Sequence, residues 1–223
     1  MMEENTNTLN ITGAVVEKKV AYKNERYNET FYELKLDVPR WSENNDILPV
    51  IVSEKLFCGA TIEIGTLVSV VGQVRTRNYS DESGRNHLSV FGYAKDIAVI
   101  DIAEYAEIED KNVVTLEGFI CKKPINRTTS NTGRVITDLL VAVNRKYNRS
   151  DYIPVIVWGR NAKMAAEFSV GDAIELTGRF QSRTYRKHID DEEKTFTAYE
   201  VSVVSIDTKN DDKEVSEDVT SEA

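Results

Sequence analysis

The chain contains one internal repeat, and that repeat limits the fold more than any other feature. Thr8-Leu-Asn-Ile-Thr-Gly13-Ala-Val-Val16 is matched by Val113-Val-Thr-Leu-Glu-Gly118-Phe-Ile-Cys121. Asp46-Ile-Leu-Pro-Val-Ile-Val52 is matched by Asp151-Tyr-Ile-Pro-Val-Ile-Val157. Gly65, Gly72 and Tyr79 recur as Gly171, Gly178 and Tyr185, and the offset drifts by only one residue across the whole repeat. Two homologous domains of about 100 residues each are therefore expected. Their limits are residues 1–100 and 112–207. Residues 101–111 read as an acidic linker or a short helix, and residues 208–223 as a disordered acidic tail.

Composition narrows the chemistry. Among 223 residues there are two histidines and two cysteines, which argues against a disulfide framework or a Cys-rich zinc site. Cys121 reads as a small buried hydrophobe in an apolar strand, and Cys58 as the close of a short helix. No P-loop, nucleophile elbow or zinc motif is present. No apolar run approaches a membrane span. Met1-Met2-Glu3-Glu4 does not resemble a secretory signal, so a cytoplasmic location is expected. The formal net charge is −9. That acidity lies in the ends and the linker, and the remaining body carries about +2. A polyanionic partner is compatible with that balance.

Each repeat reads as five short strands with turn clusters between them. Phe31 to Val38 alternates as a half-buried strand does. The one good helical stretch, Arg160 to Phe168, falls between the third and fourth strands of the second repeat, and Glu54 to Ala60 is its weaker counterpart. This order predicts an all-β chain of two tandem OB-fold barrels, each a five-stranded Greek key with a short helix after strand three. A sandwich would need about seven strands and no such helix.

Strand parity then separates core from surface. In Tyr152 to Trp158, one face holds Ile153, Val155 and Val157. The other holds Tyr152, Pro154, Ile156 and Trp158. In Gly178 to Tyr185, one face holds Arg179, Gln181, Arg183 and Tyr185, and the first repeat matches it with Gln73, Arg75, Arg77 and Tyr79. Cations interleaved with a ring suit single-stranded nucleic acid, because bases stack on rings while guanidinium groups meet phosphates.

The run Tyr152-Ile-Pro-Val-Ile-Val-Trp158-Gly-Arg-Asn-Ala162, then Gly171, then Gly178-Arg-Phe-Gln-Ser-Arg-Thr-Tyr185, resembles the bacterial single-stranded DNA-binding protein family. The resemblance is strongest in the second repeat. It implies single-stranded DNA binding without strong sequence preference, in replication, recombination or repair. It implies stacking on Trp41, Tyr79, Tyr147, Tyr152, Trp158 and Tyr185. Arg75, Arg77, Arg145, Lys146, Arg160, Arg179, Arg183 and Arg186 are the candidate phosphate contacts. No cofactor, metal or catalytic residue is implied, and the chain is expected to act in the cytoplasm, at the nucleoid. Family chains commonly assemble four OB folds, so a homodimer is expected here. Contacts between folds are expected from the strand around Asn10 to Val16. In the first repeat, Ile47 and Ser53 stand where Tyr152 and Trp158 stand in the second, so the second repeat is expected to bind more strongly. The tail carries acids without the family's aromatic tip, which weakens the expectation of replication or repair proteins as partners.

Two other functions fit the sequence. One is an OB-fold scaffold of a replisome or primosome with weak DNA binding, favoured by the missing platforms of the first repeat. The other is an enzyme using Asp190-Asp-Glu-Glu193 to hold Mg²⁺, although a solvated loop explains those carboxylates more simply.

Overall fold

The computed structural model describes residues 6–40, 44–81, 84–129, 132–189 and 192–209. The strands run in chain order as β1 (Asn7–Asn24), β2 (Glu29–Pro39), β3 (Asn45–Ser53), β4 (Leu67–Ser80) and β5 (Asn86–Val99), then β6 (Asn112–Ile120), β7 (Ile125–Thr128), β8 (Val135–Arg145), β9 (Arg149–Trp158), β10 (Ala173–Ile189) and β11 (Glu192–Thr208). Two short helices interrupt them, α1 (Ile102–Glu107) and α2 (Gly159–Ala165). The chain is all-β, and it forms two OB barrels in tandem.

The repeated glycines show why each barrel closes. The first half of β1 pairs with β4, from Leu9↔Gly72 to Ala14↔Leu67. The second half pairs with β2, from Ala14↔Asp37 to Asn24↔Glu29. At the corner a Cβ on Gly13 would meet the Asp37 carbonyl oxygen at 2.5 Å, and one on Gly118 would meet that of Ala142 at 2.5 Å. Only glycine lets one strand cross so close to another backbone. A parallel pairing completes each barrel, Val50↔Gly92 with Ile51↔Tyr93 in the first and Val155↔Val201 with Ile156↔Ser202 in the second.

The barrels differ where their sequences do. β1 is continuous through two bulges. Its counterpart breaks into β6 and β7 around Pro124, which has no N–H to give to a ladder. After β3 the chain makes only a 3₁₀ turn, Glu54–Phe57, with Ser53 as its cap. α2 ends at Ala165, short of the expected Phe168. Cys58 and Gly59, both at positive φ, stop the first turn as expected. Cys121 lies just past β6 rather than within a strand, with Sγ 3.1 Å from the Leu140 carbonyl oxygen. Between the barrels the helix reading of 101–111 holds. Asp101 caps α1 in a reciprocal box with Glu104.

The barrels join through their first strands. β1 pairs antiparallel with β6, from Asn7↔Leu116 to Ile11↔Asn112, so the inter-fold pairing starts before the expected segment and shares only Asn10 and Ile11 with it. Leu9 and Val114 are fully buried at this crossing. Each such side chain contributes roughly 1.5–3 kcal/mol. Asn7 brackets Val74, donating to its carbonyl at 2.7 Å and accepting from its N–H at 2.9 Å. Asn112 treats Phe180 the same way, at 2.7 and 2.9 Å. The core runs continuously through both barrels. Among the described residues no helix is long and apolar enough to cross a membrane.

Candidate nucleic-acid interface

The second barrel places most of the expected rings on its outer surface. Tyr152 is exposed on β9, and its backbone N–H donates to Thr76 Oγ1 at 3.0 Å. Trp158 ends the same strand, 37% exposed, and its indole N–H donates to Ser202 Oγ at 3.1 Å. The small serine leaves the indole room to lie against β11. A groove of about 650 Å³ beside Trp158 is lined by Arg134, Arg160 and Lys163. Ile156, assigned by parity to the same outer face, is instead 1% exposed. Parity marks the face, but not the burial of an apolar side chain upon it.

The long hairpins carry ring pairs near their tips. Tyr185 stacks on Phe196 with centroids 5.7 Å apart, as the register Tyr185↔Phe196 demands. Tyr79 stacks on His87 at 5.3 Å through the matching pair. Tyr147 projects from the β8–β9 turn with 92% of its surface exposed and φ at +63°. Trp41 lies outside the described residues, as do Asp190, Asp191 and the tail beyond Lys209. Glu193 forms an ion pair with Arg186 at 3.3 Å.

The cations divide into two groups. Arg75 and Arg145 both meet the fully buried Asp151, at 3.1 and 3.3 Å, and so hold the fold as well as facing the groove. Arg179 donates to the Pro39 carbonyl at 2.9 Å, and burial pushes its guanidinium below the usual range. Arg183 lies 3.5 Å from Glu200 and over the Tyr185 ring at 5.5 Å. Lys146 lines the trough where the barrels meet. Arg77 and Arg160 are exposed and have no ion-pair partner among the described residues. Parity correctly turned these side chains outward. It did not show that a carboxylate already meets several of them, from the paired strand for Arg145, Arg183 and Arg186 and from the other barrel for Arg75.

The structure adds residues that sequence reasoning missed. Arg149 and Lys95 share a trough of about 670 Å³ at the barrel junction with the expected Arg75, Arg145 and Tyr147. On the first barrel, Tyr22, Phe31 and Tyr93 form a ladder of rings, with centroids at 4.5 and 6.3 Å. Phe31 was legible as a strand residue, but its parity opposes that of Leu34, Leu36 and Val38, which put it on the outer face. That clash of parity was the available signal.

Comparison with known proteins bears on this surface. The single-strand binding protein family matches residues 111–208. A single-stranded DNA-binding protein of Clostridium tetani is 39% identical over 80 residues, covering 33% of this chain and 55% of that one. Single-stranded DNA-binding protein 1 of Clostridium acetobutylicum is 34% identical over 82 residues, covering 34% of this chain and 74% of its own length. The chain thus spans little more than half of the C. tetani relative. The wild-type single-stranded DNA-binding protein of Thermus aquaticus superposes with a TM-score of 0.69 at 18% identity, over 92% of this chain and 93% of that one. A deletion mutant of the same Thermus protein superposes at 0.69 with 19% identity, over 95% and 98%. These two likenesses extend the fold match across both barrels.

Proposed function

The chain belongs to the single-strand binding protein family, and we propose on that premise that it binds single-stranded DNA without strong sequence preference and carries out no covalent step. The observation that carries the proposal is the second barrel's outer face. There Trp158 lies over Ser202 beside Arg134, Arg160 and Lys163, with Tyr152 on the same strand. Bases stack on such rings for roughly 1–3 kcal/mol each, and nearby cations neutralise the backbone. Protection of single strands during replication, recombination or repair follows from binding of this kind.

The two barrels form the binding units, residues 1–100 and 112–207, and a homodimer supplies four OB folds. A twofold dimer is the commonest closed assembly. Light scattering of the eluted protein should give twice the chain mass.

The test is tryptophan fluorescence during titration with oligothymidylate, in the natural chain and in Trp158→Ala, at two salt concentrations. Quenching that is salt-sensitive and largely lost in the variant supports the proposal. Absence of both quenching and binding by anisotropy would shift the weight to an OB-fold scaffold for replication proteins. That second reading draws on Arg75 and Arg145, whose charges Asp151 already meets.

A further inference from the structure

The two barrels exchange an aromatic residue between strands. Their registers make Tyr93 of β5 the counterpart of Ser202 of β11, since each pairs with the equivalent isoleucine, Ile51 or Ile156. The second barrel has a ring on the third strand and a small hydroxyl on the fifth, Trp158 and Ser202. The first has the reverse, Ser53 and Tyr93. Ser53 is buried and caps the following turn, so that end of β3 offers no platform. The ring has moved across the sheet rather than disappeared.

A second exchange lies beside it. Opposite Gln181 the second barrel has Glu200, which accepts a hydrogen bond from that glutamine at 2.9 Å. Opposite Arg75 the first barrel has Phe91. A carboxylate that would repel a phosphate is replaced by a ring. Tyr22 then extends the ladder through Phe31 to Tyr93.

Tyr22, Phe91 and Tyr93 line a groove of about 460 Å³. Arg77 of β4 and Arg149 of β9 reach it from the two barrels, and neither has an ion-pair partner among the described residues. Glu33 stands on its rim with its charge met by Lys19 at 2.9 Å. The exposed Tyr22 ring and the half-buried rings of Phe91 and Tyr93, flanked by cations from both sides, match a chain of stacked bases with phosphates between them.

We infer that the first barrel carries a base-stacking site of its own, built on Tyr22, Phe91 and Tyr93 and completed by Arg77 and by Arg149 of the second barrel. A single DNA strand leaving the Tyr152–Trp158 face crosses the junction past Arg149 and enters this groove. The site rests on the proposed single-strand binding and adds a second platform that the third-strand positions alone would deny.

The test uses the full chain and oligothymidylates carrying one 5-iododeoxyuridine, a photocrosslinker that reacts with rings stacked on it. Peptides crosslinked at Tyr22, Phe91 or Tyr93, beside those from the second barrel, are the expected result. Crosslinks confined to Tyr152, Trp158 and Tyr185 overturn the site while leaving the DNA-binding reading intact. No binding to any oligonucleotide overturns both. Phe91→Leu keeps an apolar side chain there and removes only the platform. It should weaken binding of an oligonucleotide of about thirty nucleotides roughly tenfold, yet leave one of about eight, which the second barrel holds alone, unchanged. Equal affinity of variant and natural chain for the longer strand, with the fold intact by circular dichroism, overturns the site.

Discussion

Asp46 and Asp151 occupy the same place in the two barrels, and each reaches into the other barrel. Asp46 accepts from the Ser182 backbone N–H at 2.7 Å, and Asp151 accepts from the Thr76 backbone N–H at 2.8 Å. Ser182 and Thr76 are themselves equivalent, four residues after the repeated Gly178 and Gly72. Each carboxylate is buried and meets an arginine of its own barrel, Arg40 at 2.7 Å or Arg145 at 3.3 Å. The clasp obeys a pseudo-twofold axis inside one chain and fixes how the outer faces of the two barrels are set.

Removing one carboxylate of the clasp strands its partners. Asp151→Ala leaves Arg75, Arg145 and the Thr76 N–H without their shared acceptor. A loss of about 2–4 kcal/mol in unfolding free energy is expected, since breaking a buried charged pair costs more than the pair contributes. Urea denaturation measures it. An unchanged midpoint would mean that the arginines find water or other partners at no cost.

The free and the occupied cations should separate in salt titrations. Arg77→Ala and Arg160→Ala should each flatten the slope of log affinity against log salt by about 0.7, while stability stays within about 0.5 kcal/mol. Arg179→Ala should behave the opposite way, because that guanidinium is half-buried and bonded to the Pro39 carbonyl. Its salt slope should hold while its unfolding midpoint falls. Reversed outcomes would show that burial is a poor guide to which arginines meet phosphate.

The repeated corner glycines make a third expectation. A Cβ at Gly118 would press on the Ala142 carbonyl oxygen and on Val141. Neither a carbonyl nor a packed β-branched side chain yields easily, so Gly118→Ala should cost roughly 1–3 kcal/mol. Gly133→Ala makes a useful contrast. It sits in open space at φ +64°, so its cost is conformational strain alone, about 1 kcal/mol. Comparing the two by denaturation distinguishes close approach from backbone conformation.

Local pattern carried most of the fold. Alternation in Phe31 to Val38 and the matched Gly13 and Gly118 were enough to expect two barrels, because strand faces and tight crossings leave marks in adjacent residues. Pairing across the repeat left weaker marks. Asp46 and Asp151 stood out as aligned residues, but the backbone N–H groups that donate to them lie more than 70 positions away in β10 and β4. The loss of Trp158's counterpart was legible at Ser53. Its recovery at Tyr93 was not, because the parallel pairing of β3 with β5 sets that register. A helix in 101–111 was one of two open readings, and the capping box formed by Asp101 and Glu104 explains why it forms.

Tyr22 links the ring ladder to the pH dependence of stability. Burial first, then the neighbouring Tyr93 phenol, pushes its phenol from 10.0 up to about 12. Between those values the unfolded chain has lost the phenol proton and the folded chain keeps it. Protons then bind more strongly to the folded state, so stability falls as pH rises through this window. Tyr105 and Tyr199 are raised too, each chiefly by burial, and add to the same slope. Urea midpoints measured from pH 9 to pH 12 should therefore decline, and Tyr22→Phe should decline less steeply because one titrating phenol is gone. The ring remains in that variant, so its affinity for oligothymidylate at neutral pH should match the natural chain within about twofold. A slope identical in both proteins would mean that Tyr22 ionises freely, and the ladder would then be looser than its 4.5 Å stacking on Phe31 indicates.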